Sequence, residues 1–144
     1  MAWWCPAPAF LLHNRGAYHT RATYRGGARP VHTLAPAMAL RSGHPRLVFG
    51  TMGGEAQVQI HLQLLARILV AGEPPERAIA APRWTFTAAM LLVEAGLPPL
   101  APPGLEVTPM PVADLAGHAH AILVEDGGLR AACDPRADGV AVGE

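Results

Sequence analysis

Leu47-Val48-Phe49-Gly50-Thr51-Met52-Gly53-Gly54 passes from an apolar run to a pair of glycines without a charged residue, and Glu55 to Ala71 follows with no proline or glycine. The apolar run reads as a buried strand. The stretch after it is ambiguous by period, because Gln57, Gln59, His61 and Gln63 alternate with Val58, Ile60, Leu62 and Leu64. Length and composition decide for a helix: these 17 residues are rich in Ala, Leu and Gln and exceed an ordinary strand. Gly72 stands at the C′ position that ends such a helix. Its apolar face is wide, which predicts burial on most sides. A strand ending in Gly53-Gly54 and feeding a helix brings free backbone N–H groups to one point, beside the positive end of the helix dipole. Without Cβ atoms, a ligand can approach that backbone closely. The site suits a carboxylate, a phosphate or a developing oxyanion. Read more simply, it is a tight turn under a buried helix. No Walker lysine and no third glycine of a dinucleotide fingerprint follow.

Upstream, Ala37-Met38-Ala39-Leu40 and Leu47-Val48-Phe49-Gly50 flank the turn Ser42-Gly43-His44-Pro45 and predict a hairpin. Downstream, Pro74-Pro75-Glu76 opens a second helix that runs through Ala80 and stops before Pro82. Thr87 to Glu94 reads as helix or strand, and Pro98 to Pro103 as a connection. His120 to Val124, Asp126-Gly127 and Leu129 to Ala132 form the clearest hairpin signal. Met1 to Ala9, Ala17 to Pro30 and the tail after Pro135 carry no periodic signal. The order hairpin, two helices, undefined middle, hairpin reads as α+β or layered α/β/α, and not as a repeated βαβ pattern.

Composition narrows the function. Hydrophobic residues make up 51% of the 144, charged residues only 15%, and the formal net charge is zero. A core is affordable at this size, and no basic stripe offers a nucleic-acid footprint. No apolar run approaches the roughly 20 residues that cross a bilayer. The start lacks the pattern of a signal peptide, which favours a cytoplasmic location. Low charge with wide apolar faces suggests a partner that covers them. Cys5 and Cys133 lie far apart and read as unpaired thiols. His118 and His120 would share a face on a strand, but no third ligand sits at a telling spacing, so no metal is expected. His32-Thr33 could bond a substrate carboxylate or cap a turn. Asp134-Pro135-Arg136 reads as an ion-paired structural turn ahead of a substrate contact.

Five motifs in order carry a resemblance: Phe10-Leu11-Leu12-His13-Asn14-Arg15-Gly16; Arg29-Pro30-Val31-His32-Thr33-Leu34-Ala35-Pro36; Phe49-Gly50-Thr51-Met52-Gly53-Gly54; Ala80-Ala81-Pro82-Arg83-Trp84; and Cys133-Asp134-Pro135-Arg136. Together they resemble the C-terminal part of the small subunit of the γ-glutamyltransferase family. The match spans 10–144 with a shortened middle, and leaves 1–9 as an unrelated or disordered segment. The resemblance implies a partial αββα sandwich of N-terminal-nucleophile hydrolase type, from a precursor that cuts itself in two. It implies a Thr nucleophile whose own amine is the base, attacking a γ-glutamyl amide such as that of glutathione, with no cofactor. Gly53 and Gly54 match the glycine pair of the oxyanion hole. His32 and Thr33 fall where two serines commonly hold the substrate α-carboxylate, and Asn14 matches an asparagine of a substrate-contacting loop. The acidic residue expected after Asn14 is replaced around Ala17 to His19. The nucleophilic Thr would lie upstream of Phe10, and the large subunit with its substrate-binding Arg is not in the chain. The expectation is a fragment inactive alone, completed by an N-terminal portion or large subunit. The alternatives are a non-catalytic interaction module and an unrelated anion-binding domain.

Overall fold

In the computed structural model, residues 3–5, 10–12, 25–27, 34–87, 90–99 and 102–143 are described. The chain divides into two compact units, Met1–Thr33 and Leu34–Glu144. In the first, β1 (Trp3–Cys5) pairs antiparallel with β2 (Phe10–Leu12). The lack of a periodic signal over 1–9 predicted no element there. Backbone pairing with the apolar run at Phe10 supplies one, because strand formation depends on the partner more than on local propensity.

In the second unit, β3 (Ala37–Arg41) and β4 (His44–Thr51) form the expected hairpin. Ser42 and Gly43 close it with φ of 52° and 82°, the mirror-image turn that matches strand twist. A 3-10 turn at Gly54–Ala56 leads into α1 (Gln57–Leu65), which ends in a π turn over Ala66–Val70. Gly72 follows at φ 70°, and the Glu73 N–H reaches back to Arg67 O at 2.9 Å, closing the helix as a C′ glycine does. The second helix, α2 (Pro75–Ala80), starts on its proline. The stretch that read as helix or strand is strand: β5 (Trp84–Thr87) pairs with β6 (Met90–Val93), and β7 (Glu106–Pro109) joins β6 in parallel. The last hairpin is β8 (Ala119–Glu125) and β9 (Gly128–Cys133).

The two hairpins join through β4 and β8, giving an antiparallel sheet of order β3-β4-β8-β9. Its helix-covered face holds the core, where Leu47 and Phe49 of β4 and Ala119, Ala121 and Leu123 of β8 meet Ile60, Leu64, Ile68, Ala78 and Ile79. The opposite face carries the cross-strand row Met38, Val48, Ile122 and Ala131. Met38 and Ile122 are 56% and 40% exposed, so this apolar row is uncovered.

The long helix is not buried on most sides, contrary to its composition. One stripe faces the core, while Val58 and Leu62 are 73% and 60% exposed. The remaining flank docks on a strand edge. Gln59 accepts from Phe86 N at 2.6 Å and donates to Phe86 O at 2.9 Å; Gln63 does the same with Trp84, at 3.1 and 2.8 Å. Four helical residues advance ~6 Å and two strand residues ~6.7 Å, so the two amides meet alternate residues of the β5 edge. The glutamines that imitate a strand pattern are therefore a side-chain ladder for a strand.

His61 is buried on the core face, its ring 4.9 Å from Phe49 in an edge-to-face arrangement. Its Nε2 has no hydrogen-bond partner among the described residues, and burial pushes its pKa below the ordinary value. The folded state thus favours neutral imidazole. Its contribution is intact above the unfolded pKa, near ~6.5, and is lost as pH falls toward the lower folded value. In urea titrations from pH 7.5 to 5, His61→Leu should gain stability over wild type progressively as pH drops; a pH-independent gap between the two would refute this.

Candidate active site

The turn at the end of β4 is built from backbone. Gly53 has φ 146° and Gly54 φ 54°, conformations that L side chains rarely adopt. Both carbonyls are tied into the helix start: Ala56 N–H donates to Gly53 O at 3.0 Å, and Gln57 donates to Gly54 O through its backbone N–H and, at 3.1 Å, its side chain. The Gly53 and Gly54 N–H groups have no acceptor among the described residues. Two adjacent unengaged donors can hold a carboxylate or an oxyanion.

A second loop braces this turn. Met52 N–H donates to His118 O at 3.3 Å, and Gly117 packs beneath. A Cβ at Gly117 would lie 2.2 Å from Met52 O, 2.6 Å from Thr51 Oγ1 and 2.8 Å from Ile60 Cδ1. A Cβ at Gly54 would meet nothing within 4 Å.

The Gly117 loop is in turn held by a buried charge network. Arg83 and Asp134 are 2% and 0% exposed and share a hydrogen bond of 2.6 Å. Arg83 also donates to the carbonyls of Ala116 (2.8 Å), Gly117 (3.1 Å) and Ile79 (2.6 Å). Asp134 accepts from Ala119 N–H at 2.8 Å, and from the backbone and side chain of Arg136 at 3.0 Å each. Arg136 forms a two-point pair with Glu94 at 2.8 and 2.6 Å, and Glu94 accepts from Arg83 N–H at 2.7 Å. Burial alone would raise the Asp134 carboxyl; the N–H groups of Ala119 and Arg136 and the Arg83 guanidinium outweigh it and hold the pKa below the ordinary range. Asp134-Pro135-Arg136 is thus an ion-paired structural turn, with Asp134 wholly enclosed.

Gly53 and Gly54 stand at the strand–helix turn, as their sequence context predicts. Asn14, His32 and Thr33 lie outside the described residues. His118 precedes β8 and contacts Asp114 Oδ1 at 3.2 Å, so the pair His118 and His120 does not share a strand. Among the described residues no group of three or more His, Cys, Asp or Glu could hold a metal. Cys133 is a free thiol, donating to Gly139 O at 2.9 Å. Local pattern reading missed Gln57 and Gly117. Gln57 was legible only as one of four alternating polar residues, and Gly117 as one glycine among 15.

Comparison with known proteins places this architecture. A profile of the γ-glutamyltranspeptidase family matches residues 13–144. The chain is 36% identical to the glutathione hydrolase-like YwrD proenzyme of Bacillus subtilis, over 92% of its own length and 29% of that protein. It is 34% identical to the oxamate amidohydrolase proenzyme of Klebsiella pneumoniae, over 96% of its length and 30% of that protein. The solved γ-glutamyltranspeptidase of Pseudomonas nitroreducens complexed with L-DON superimposes with a TM-score of 0.68 at 25% identity, covering 91% of this chain and 72% of that one. The fold is that of an N-terminal-nucleophile hydrolase, and the chain belongs to the γ-glutamyltranspeptidase family. It spans less than a third of the two curated relatives.

Two outcomes test the site's construction. Gly117→Ala should cost about 2–4 kcal/mol in urea unfolding, because backbone must move, whereas Gly54→Ala should cost about 1–2 kcal/mol, for its positive φ alone. Equal costs would mean that Gly117 does not brace the turn. Arg83→Met should cost about 3–5 kcal/mol by leaving Asp134 short of a partner, and adding Asp134→Leu should recover part of it. No recovery in the double variant would place the cost in packing instead.

Proposed function

We propose that this chain contributes the oxyanion-stabilising part of a γ-glutamyltransferase-type amidohydrolase. The observation that carries the reading is the Gly53-Gly54 turn, with both carbonyls engaged and both N–H groups unengaged among the described residues. A nucleophile attacking an amide carbonyl drives negative charge onto its oxygen. Two preorganised N–H groups, backed by the positive end of α1, stabilise that charge more than they stabilise the neutral amide. Collapse expels the amine and leaves an acyl-enzyme, which water or an amino acid then cleaves.

In this reading the nucleophile is a Thr supplied from outside these 144 residues. Thr51, adjacent to the turn, is not a candidate, since its hydroxyl donates to Met52 O at 2.7 Å and is 9% exposed as a residue. The substrate is an amide that carries a free carboxylate, a feature common to γ-glutamyl compounds and to the oxamate named for one relative. His32 and Thr33 would hold that carboxylate and Asn14 would contact the substrate. His32, replacing a serine, and the missing acid after Asn14 favour an acyl group other than γ-glutamyl. A second reading, a non-catalytic subunit, draws on the uncovered row Met38, Val48, Ile122 and Ala131, which a partner's sheet would bury.

The purified chain should not turn over a γ-glutamyl anilide or oxamate. Mixed with a Thr-led family segment it should do so, and Gly54→Val should lower that rate by about 10²–10³-fold. Turnover by the chain alone, unaffected by Gly54→Val, would sink the proposal. Stable binding to the segment without turnover would favour the second reading.

A further inference from the structure

We infer that Gln57 is the positioning residue of the Gly53-Gly54 turn: its side-chain amide anchors the turn by tying the Gly54 carbonyl to the Ala35 backbone. This rests on reading the turn as an anion acceptor. Gln57 is only 5% exposed, although a glutamine in the first turn of a helix ordinarily points to solvent. Its Nε2 donates to Gly54 O at 3.1 Å, and its Oε1 accepts the Ala35 N–H at 3.3 Å. The two ends of one amide therefore join the turn to the segment leading into β3.

The physical need for such a clamp follows from the glycines. Each explores a wide φ/ψ range, and free N–H groups on a mobile turn lose most of their worth as oxyanion donors. In a trans peptide the C=O and N–H point in opposite directions, so the bond from Ala56 N–H to Gly53 O also directs the Gly54 N–H. The Gly54 carbonyl shares its plane with the Glu55 N–H, so holding it anchors the helix side of the turn. Helix propagation alone would supply it with the Gln57 backbone N–H; the Gln57 side chain adds a second donor with a fixed external reference at Ala35. Gln59 and Gln63, two and six residues on, give their amides to β5 instead, so Gln57 is the glutamine of this helix that reaches the turn.

The test is amide NMR on the isotope-labelled chain, with inorganic phosphate as the probe. In wild type the Gly53 and Gly54 resonances should shift saturably. Gln57→Met should weaken that response at least tenfold and speed hydrogen exchange of the Ala35 amide about tenfold. Gln57→Glu keeps an acceptor for Ala35 and suits a helix N-terminus, so a mere capping role predicts an unchanged thermal midpoint and unchanged Ala56 exchange. Positioning predicts the midpoint kept and Ala56 exchange accelerated, the added charge weakening phosphate in either case. Gln63→Met, which removes an equivalent amide at β5, should leave the response intact. A response within twofold of wild type in Gln57→Met would overturn the inference. Should wild type ignore phosphate, the anion-acceptor reading fails instead; exchange at Ala35 and Ala56 then decides for positioning if Gln57→Met accelerates it and against if it does not. If Gln57→Met does not fold, Gln57→Glu carries the comparison through Ala56 exchange, accelerated under positioning and unchanged otherwise.

Discussion

Arg83 and Asp134 meet in the interior at 2.6 Å, and the loops of the second unit are arranged around them. A buried ion pair is not intrinsically stabilising, since desolvation offsets most of the attraction. What makes this one an organising constraint is that most of its remaining hydrogen bonds go to backbone. Arg83 gathers carbonyls from the end of α2 and from the Ala116-Gly117 loop, and Asp134 binds the first amide of β8. Arg136 and Glu94 extend the network to the end of β6. Elements far apart in sequence are thus held at one point by groups that cannot separate without exposing a bare charge to the interior.

The candidate site inherits its shape from that constraint. Gly117, held by Arg83, forms the floor beneath Met52 and leaves no room for a side chain. The turn above it is free of steric crowding at Gly54 but is directed by hydrogen bonds to its carbonyls. Packing and donor placement are therefore separated along the loop: the glycine with no room for a Cβ is Gly117, while the ones whose N–H groups meet no acceptor among the described residues are Gly53 and Gly54. Such a division lets a site keep unengaged donors without leaving the surrounding backbone loose.

The helix shows how one sequence pattern can serve two directions at once. Its core stripe, Ile60, Leu64 and Ile68, follows helical spacing. Gln59 and Gln63, about one helical turn apart, bond alternate residues of a strand edge, and Gln57 bonds the turn. That edge, at Trp84 and Phe86, is closed by side chains instead of a further strand, which removes an otherwise exposed row of backbone donors and acceptors. The exposed Val58 and Leu62 on the third face and the open row on the sheet leave apolar surface on both outer sides of this layer.

By itself the sequence determined the local elements: the apolar strand into Gly53-Gly54, the helix closed by Gly72, the proline-led α2, and both hairpins, the first with a tighter turn than the Ser42-to-Pro45 reading gave. Each is written in adjacent residues, as period, length or glycine and proline placement. The ordered motifs also carried the family, and with it Gly53 and Gly54 as the residues of interest. Tertiary structure alone decided that Arg83 pairs with Asp134, 51 residues away, that Gln59 and Gln63 meet β5, that Gln57 turns inward and that Gly117 lies under Met52. Composition suggested a helix enclosed on most sides, and packing enclosed only one stripe. The reason is the same in each case. A buried charge, an inward amide or a missing Cβ acquires meaning from the atom it faces, and that atom belongs to a segment brought near only when the two hairpins close their shared sheet.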